Sequence, residues 1–424
     1  MGNFNKEVTV AFEDVLTGFE DGLVASKHAK TYKVDSVTAE RSADVIWRPQ
    51  PYIMPSVQGL DISSSLAAGA NVTQLSVPAP INIIENTTFT LNANELRDGQ
   101  QVTRIMQGAK QKLASQVNVA VSNLMALTGS LVVRRTVAPT GFDDLAAADD
   151  VMNAQGVPMD DRKAMLVSPH YNAMAGQLGR PQTSGLQKSA TAYEKALLGP
   201  VAGFDTAKAD YGFRLTAAAG VGVTINGANQ RYVPVAVNNT AGGPQNVDNR
   251  FQVISITVTS GTVKVGDAFT IANVNAVHAI TKEDTGALRT FRITRIVTGA
   301  GGTGTVEITP PIISADSSPT YAETQYKNCT VAPANGAVVT FLNTATGLVS
   351  PFWQGDAYEV LPTPLIVPQN SGILVAGGTT ENGYGMAMFQ QANIGTLATT
   401  FRLSVRFGVV NLNPQMAGVF LFNQ

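Results

Sequence analysis

Gly299 to Gly304 read GAGGTG and satisfy the G-x-G-x-x-G spacing that lets backbone amides approach a pyrophosphate. That chemistry needs a helix immediately afterwards, because the helix N-terminus supplies the positive end that meets the phosphates. The residues that follow are TVEITP, a strand pattern, so the glycines read as a hairpin turn. His28, His170 and His278 are the only histidines; they lie far apart, with no H-E-x-x-H and no Cys/His pair at zinc spacing. His170 in SPHYN offers a general base, but no G-x-S-x-G nucleophile accompanies it. Cys329, the single cysteine, lies in a Thr/Ala/Pro stretch and reads as a part-buried, inert thiol. Asp143, Asp144, Asp149 and Asp150 fall in DDLAAADD. A calcium loop needs alternating oxygen ligands around a glycine bend. Here early acids meet the positive end of a helix, so the cluster reads as a solvated face, as do Asp160 and Asp161 beside Arg162. The sequence therefore offers no enzyme constellation, no metal set and no cofactor site.

Composition points away from a freely dispersed monomer. Of 424 residues only 14% are charged, with a net charge of −2 and 39 glycines, where soluble domains carry about 25% charge. A surface so poor in charge associates readily, and the reading it supports is a surface covered by copies of the same chain. A secreted β-rich protein is the competing reading of the composition. One cysteine excludes an intramolecular disulfide framework and fits a reducing cytoplasm. The absence of a Lys/Arg run argues against sequence-independent gripping of nucleic acid. Residues Met1 to Tyr32 lack an apolar signal-peptide core, and weakly charged stretches such as Val360 to Thr380 are broken by Pro and Gly. Neither a secretion signal nor a membrane span is expected.

The elements that would position these residues change character along the chain. Val8, Phe12, Val15, Leu16, Phe19 and Leu23 recur at helical spacing and predict an amphipathic arm. Val45 to Arg48 and Leu75 to Val77 read as strand ends around a Ser/Ala/Gly/Asn-rich middle, a long two-stranded projection. Val102, Ile105, Met106, Ala109, Leu113, Val117, Val121, Leu124 and Met125 form one stripe of a long helix. Asn94 or Asp98 could cap its start, and Gly129 ends it. A shorter helix (FDDLAAADDVMNAQG) leads to a strand at Ala164 to Val167, which gives way to another helix at Ser168-Pro169. From Thr216 to Ala345 the helical period vanishes. VTING, YVPVAV, FQVISITVTSG, DAFTIANV, LRTFRITRIVTG, TVEITP and AVVTFL predict a small β-barrel or sandwich, inserted because both flanks are needed to complete the domain around it. Its charges, Lys264, Lys282, Arg289, Arg292 and Arg295 among Asp248, Asp267, Glu283 and Asp284, are expected to be interspersed on its surface.

The order of these parts, with GVPMDDRKAMLVSPHYNAM after the long helix, resembles the major capsid proteins of tailed bacteriophages with the Hong Kong 97-type fold. RSADVIWRPQ, ANELRDGQ, VAGFD, SPFWQGDAYEV and the stretch QNVDNRFQVISITVTSGTVKVGDAFTIANV are similar to the short-tailed Salmonella phage coat proteins, whose subunit carries an inserted β-barrel. The resemblance implies an α+β chain divided as follows: an N-terminal arm at 1–35, peripheral strands with an E-loop hairpin at 36–92, and a spine helix at 93–130. It continues with a first axial part at 131–215, a six-stranded-type inserted barrel at 216–345, and a second axial part with C-terminal peripheral strands at 346–424. It further implies a non-enzymatic subunit without cofactors that self-assembles into pentamers and hexamers of an icosahedral head. Scaffolding protein and portal are the implied partners, and the head encloses double-stranded DNA without sequence-specific binding. Assembly in the host cytoplasm and residence in the virion follow. A loop in such a barrel is expected to carry acids toward a neighbouring capsomer, but VNNTAGGPQNVDNR has Asn and Gly at its tip, which leaves Asp248 and Arg250 as its charged candidates. Arg97 and Arg104 of the spine segment and Asp61 of the hairpin are further interface candidates. The alternative from another class is an adhesive or glycan-binding β-rich tail or surface protein.

Overall fold

The computed structural model describes residues 6–34, 45–50, 60, 72–96, 98–178, 198–316, 319–365 and 374–424. They fall into two compact units, one of residues 1–46, 78–124 and 358–410, the other of 47–77, 125–357 and 411–424. No helix among the described residues is long and apolar enough to cross a membrane.

In the first unit the arm forms helix α1, Lys6–Gly18, followed by a 3-10 turn at Glu20–Gly22. Val8, Phe12, Val15, Phe19 and Leu23 are buried, as their spacing requires, and Leu16 is half-buried. Helix α2, Gly99–Thr128, is the predicted long helix, its residues 99–124 in this unit and 125–128 in the other; at 1.5 Å per residue it runs about 45 Å. Asp98 begins it, its carboxylate accepting the Gln100 N–H at 3.1 Å, whereas Asn94 belongs to a separate short turn, Ala93–Leu96. Val102, Met106, Ala109, Leu113, Val117 and Val121 are buried along one stripe. Asn118 interrupts that stripe for a reason. It is 1% exposed, and its side chain accepts the N–H groups of Val24 and Ala25 at 3.0 and 3.1 Å and donates to the Gly22 carbonyl at 2.9 Å. The backbone leaving the arm thus finds partners on the helix that it could not find in its own turn. The unit's sheet has the order Lys30–Thr31, Tyr358–Pro362, Ala398–Asn411, Gly385–Asn393, Leu374–Thr379, with Ile83–Asn92 paired antiparallel along Ala398–Asn411.

The second unit holds a six-stranded sheet in the order Leu131–Arg134, Ala417–Leu421, Gly347–Gln354, Arg162–Val167, Phe204–Ala209, with Arg214–Leu215 paired to Gly347–Gln354. Helices α3, Phe142–Ala154, and α4, Ser168–Leu178, supply Leu145, Met152, Tyr171 and Met174 to a core shared with Leu131, Leu166, Phe204, Phe352 and Phe420. The acids of α3 divide. Asp143 and Asp150 are exposed as expected, but Asp144 is 0% exposed. Its carboxylate accepts the N–H of Thr140 at 2.6 Å and of Gly141 at 3.3 Å, and meets Arg135 at 2.7 Å. Helix-start amides lack intrahelical partners, which draws this carboxylate inward. Arg162 is likewise buried, held by Asp149, Asn153 and the carbonyls of Val157 and Pro158. The expectation of a wholly solvated acidic face is corrected at these positions.

The same unit carries a second six-stranded sheet. Its strands are β1, Val221–Ile225, β2, Gln252–Ser260, β3, Ala268–Val277, β4, Asp284–Thr298, β5, Gly302–Thr309, and β6, Val339–Phe341. The order is β6-β3-β4-β5-β2-β1. A bridge between Thr224 and Val338, with Ile225 N–H to Ala337 O at 2.9 Å, brings the two edges together. The sheet is thereby an almost closed barrel, and closure removes the free edges. Alternate residues Ile254, Ile256 and Val258 of β2 join Phe269, Ile271, Phe291, Ile293, Val306 and Ile308 inside it. The α+β expectation with an inserted six-stranded barrel stands, and GAGGTG is the β4–β5 turn. YVPVAV is not a strand of this sheet. Pro234 lacks the N–H a ladder needs. The chain reaches strand form only at Val237–Thr240, which pairs with Gly243–Asn246 as a separate, almost wholly exposed hairpin.

Candidate functional site

The exposed hairpin stands on a rigid base. Asn249, buried, accepts the Val235 N–H at 3.0 Å and the Tyr232 hydroxyl at 3.1 Å, and donates to the carbonyls of Val235 and Val247, both at 2.9 Å. One amide side chain thereby closes the loop on both sides of the hairpin. Asp248 and Arg250, the two charged candidates of this loop, are brought together with each other. The guanidinium donates to both carboxylate oxygens, at 2.9 and 2.6 Å, and to the Asn411 carbonyl at 2.6 Å. It also lies 5.0 Å from the Phe251 ring centroid. Their charge is therefore spent within the subunit, and what the loop offers outward is neutral backbone and the Asn/Gly tip. Arg104 is exposed on α2 of the first unit. Arg97 and Asp61 lie outside the described residues.

The charges expected on the barrel surface are partly internal. Arg289, Arg292 and Asp267 are buried. Arg289 donates to the side chains of Gln155 and Gln415, and Arg292 donates to the Ala126 carbonyl at 2.8 Å. Thr290 Oγ1 donates to the Ser130 carbonyl at 2.6 Å. Strand β4 is thus seated on the end of α2, whose last carbonyls lack helical partners and favour a cation. Burial pushes the Asp267 carboxyl up, although the Asn343 amide, the Lys264 N–H and the Arg292 charge pull it down. Lys282 is lowered to about 8, chiefly by burial and then by Lys327. These buried groups join parts of one subunit, and no group of three or more metal-ligating side chains occurs among the described residues.

The former chemical candidates have structural surroundings. Cys329 is fully buried rather than part-buried, and burial pushes its thiol up to about 12. His170 Nδ1 lies 2.8 Å from Ser350 Oγ, which itself accepts the Val167 N–H at 3.1 Å, so the hydroxyl proton is free to go to the ring. Phe422 packs edge-on to the imidazole at 4.8 Å. Burial lowers the His170 pKa. The unfolded chain then binds a proton more readily than the folded one, so this stability term is complete above the ordinary value of about 6.5 and is lost as pH falls below it. His170→Gln should accordingly flatten the drop in thermal midpoint between about pH 7.5 and pH 5.5; parallel curves for the two proteins would refute the assignment.

A sequence model of the family described as "P22 coat protein - gene protein 5" matches residues 1–423. The chain belongs to that family. It is a major capsid protein, the structural subunit of a tailed-phage head. Among solved structures this coat protein is similar to one from Mycobacterium phage Che8, at 10% identity and TM-score 0.43, over 94% of this chain and 90% of that one. It is similar to the capsid of the Cyanophage P-SCSP1u at 11% identity and TM-score 0.42, over 93% and 86% of the two chains. It is also similar to the CUS-3 coat protein I-domain at 37% identity and TM-score 0.23, over 28% of this chain and 95% of that one. Sequence reading missed Asn118 and Asn249 in this coat protein, and it placed Arg289 and Arg292 on the barrel surface although both are buried. Asn118, Arg289 and Arg292 are polar within apolar or strand-like runs, which is their local signal, whereas Asn249 in QNVDNR gives none.

Proposed function

We propose that this coat protein assembles with copies of itself into the pentamers and hexamers of an icosahedral head that encloses double-stranded DNA, and that it performs no catalysis. The match of the P22 coat protein family along residues 1–423 carries the reading. The proposed division is the arm at 1–35, the E-loop hairpin at 36–92, the spine at 93–130, the axial parts at 131–215 and 346–424, and the inserted barrel at 216–345. A net charge of −2 suits a wall that confines DNA without gripping it. Scaffolding protein and a portal are the proposed partners, and the host cytoplasm the place of assembly. Arg104, Arg97 and Asp61 are the proposed charged contacts between subunits, with the exposed hairpin Val237–Asn246 meeting its neighbours through polar backbone and amide groups.

Purified chain mixed with scaffolding protein should form closed, thin-walled shells by electron microscopy. A chain that stays monomeric under every assembly condition, or forms fibres, would overturn the proposal.

A further inference from the structure

We infer that Gln325 and Tyr326 of the barrel are positioning residues for assembly, gripping the backbone of Thr73 and so fixing the root of the hairpin. The inference rests on the shell-building reading above. Val45–Pro49 and Ser76–Pro80 pair as a two-stranded ribbon, and such a ribbon is marginal by itself. The two described ends, Gln50 and Thr73, are therefore placed by whatever holds them. Gln325 is 2% exposed; its Oε1 accepts the Thr73 N–H at 3.1 Å and its Nε2 donates to the Thr73 carbonyl at 3.4 Å. The Tyr326 hydroxyl donates to the same carbonyl at 2.7 Å. An amide that pairs with both backbone groups of one residue imitates strand addition and ignores that residue's side chain.

The grip itself is held rigid. Gln325 and Tyr326 end the short helix Tyr321–Tyr326, whose start is closed by Thr320 N–H to Glu323 Oε2 at 2.8 Å and Glu323 N–H to Thr320 Oγ1 at 3.2 Å. Beyond Thr73, Leu75 is buried against Ile313, Tyr326 and the partly buried Tyr232, and Ser76 bridges Asp248. On the outgoing side Gln50 donates its N–H to the Leu75 carbonyl at 2.9 Å and its side-chain amide to the Leu412 carbonyl at 3.1 Å. The root is thus clamped on both of its strands. A barrel that served only its own folding would have no use for a buried glutamine turned outward to a peptide 252 positions away.

The test is the double variant Gln325→Met, Tyr326→Phe, which removes the three polar contacts while keeping side-chain volume. In the full-length monomer the Thr73 amide should exchange with solvent about tenfold faster or more, while the core amides Ile256 and Val306 keep their protection. Gln325→Glu alone retains the acceptor for Thr73 N–H and should restore part of the protection. Shells from the double variant, imaged beside wild type, should contain fewer closed particles. Unchanged Thr73 exchange overturns the inference, and so does loss of protection at Ile256 and Val306 together with Thr73, which would make the pair part of the barrel's own stability. Closed shells in wild-type yield despite faster Thr73 exchange overturn the assembly role. If wild type itself forms no shells, the proposed function fails, while the exchange measurement still decides the grip.

Discussion

Gly418→Ala should lower the unfolding midpoint of the coat protein by an amount equivalent to about 3 kcal/mol, or leave it insoluble, although it adds only one methyl group. Gly418 lies in Ala417–Leu421, between the parallel neighbour Leu131–Arg134 and the antiparallel neighbour Gly347–Gln354. A Cβ built there would collide with Phe352 Cζ and stand 2.6 Å from the Leu131 carbonyl oxygen and 2.7 Å from Leu131 Cβ. None of these can withdraw cheaply. The carbonyl belongs to the neighbouring strand. Phe352 is 0% exposed, with the Phe420 ring at 4.8 Å and the Phe204 ring at 6.3 Å. Moving the ring opens contacts on its far side, and moving the strand breaks its pairing on both edges. Gly108→Ala is the matched control: that glycine lies in α2 with nothing within 4 Å of its added Cβ, and removing a helical glycine should gain about 0.5–1 kcal/mol. Urea midpoints for the two variants decide the matter, and equal midpoints would show that the core around Gly418 yields.

The contrast between these glycines shows where sequence reading stops. Gly108 could be judged locally, because a helix interior dictates what a residue costs. Gly418 in NPQMAGVFLFN looks like any strand residue, and its constraint comes from Phe352 and Leu131, far away in the chain. The same division holds elsewhere. The apolar steps of α1 and α2, the Asp98 start, the hairpin at GAGGTG and the strand-to-helix change at Ser168 are each set by residues within a few positions. Helix and hairpin formation is local in that sense. Asp144 was legible as a helix-start acid but not as a buried one, since Arg135 and the Thr140 amide meet it only after the loop folds back. For the site, Asp248 and Arg250 were found from their charge and pair with each other only two positions apart, yet the hold of Arg250 on the Asn411 carbonyl depends on a contact across 161 positions. YVPVAV misled because its alternation outweighed Pro234, whose missing N–H is the stronger argument.

The barrel, expressed alone as residues 216–345, should give a monomer with β-type circular dichroism and one cooperative transition, and Arg292→Met should hardly affect it. Every residue of its core cluster, from Val223 to Val339, lies within that span, and the bridge that closes it, Thr224 to Val338, lies within it too. Asp267 keeps its partners on excision, since Asn343 Nδ2 at 2.9 Å and the Lys264 N–H at 2.8 Å both come from the excised span. Arg289 and Arg292 lose Gln155, Gln415 and the Ala126 carbonyl, but they lose them to water, which solvates a guanidinium well. Two more exposed cations also favour solubility. In the full-length chain the situation reverses. There Arg292 is 0% exposed and answers the last turn of α2. Replacing it by methionine strands the buried Ala126 carbonyl at a helix end, a contact that the excised barrel does not contain. The expected cost is about 3 kcal/mol in the full chain, against about 0.5 kcal/mol or less in the excised barrel, as for an exposed surface position. Denaturation midpoints of wild type and Arg292→Met in both contexts supply the four numbers required. Equal losses in the two contexts would mean that Arg292 supports the barrel itself rather than its seating on the helix, and a disordered excised segment would mean that the barrel needs its flanks to fold.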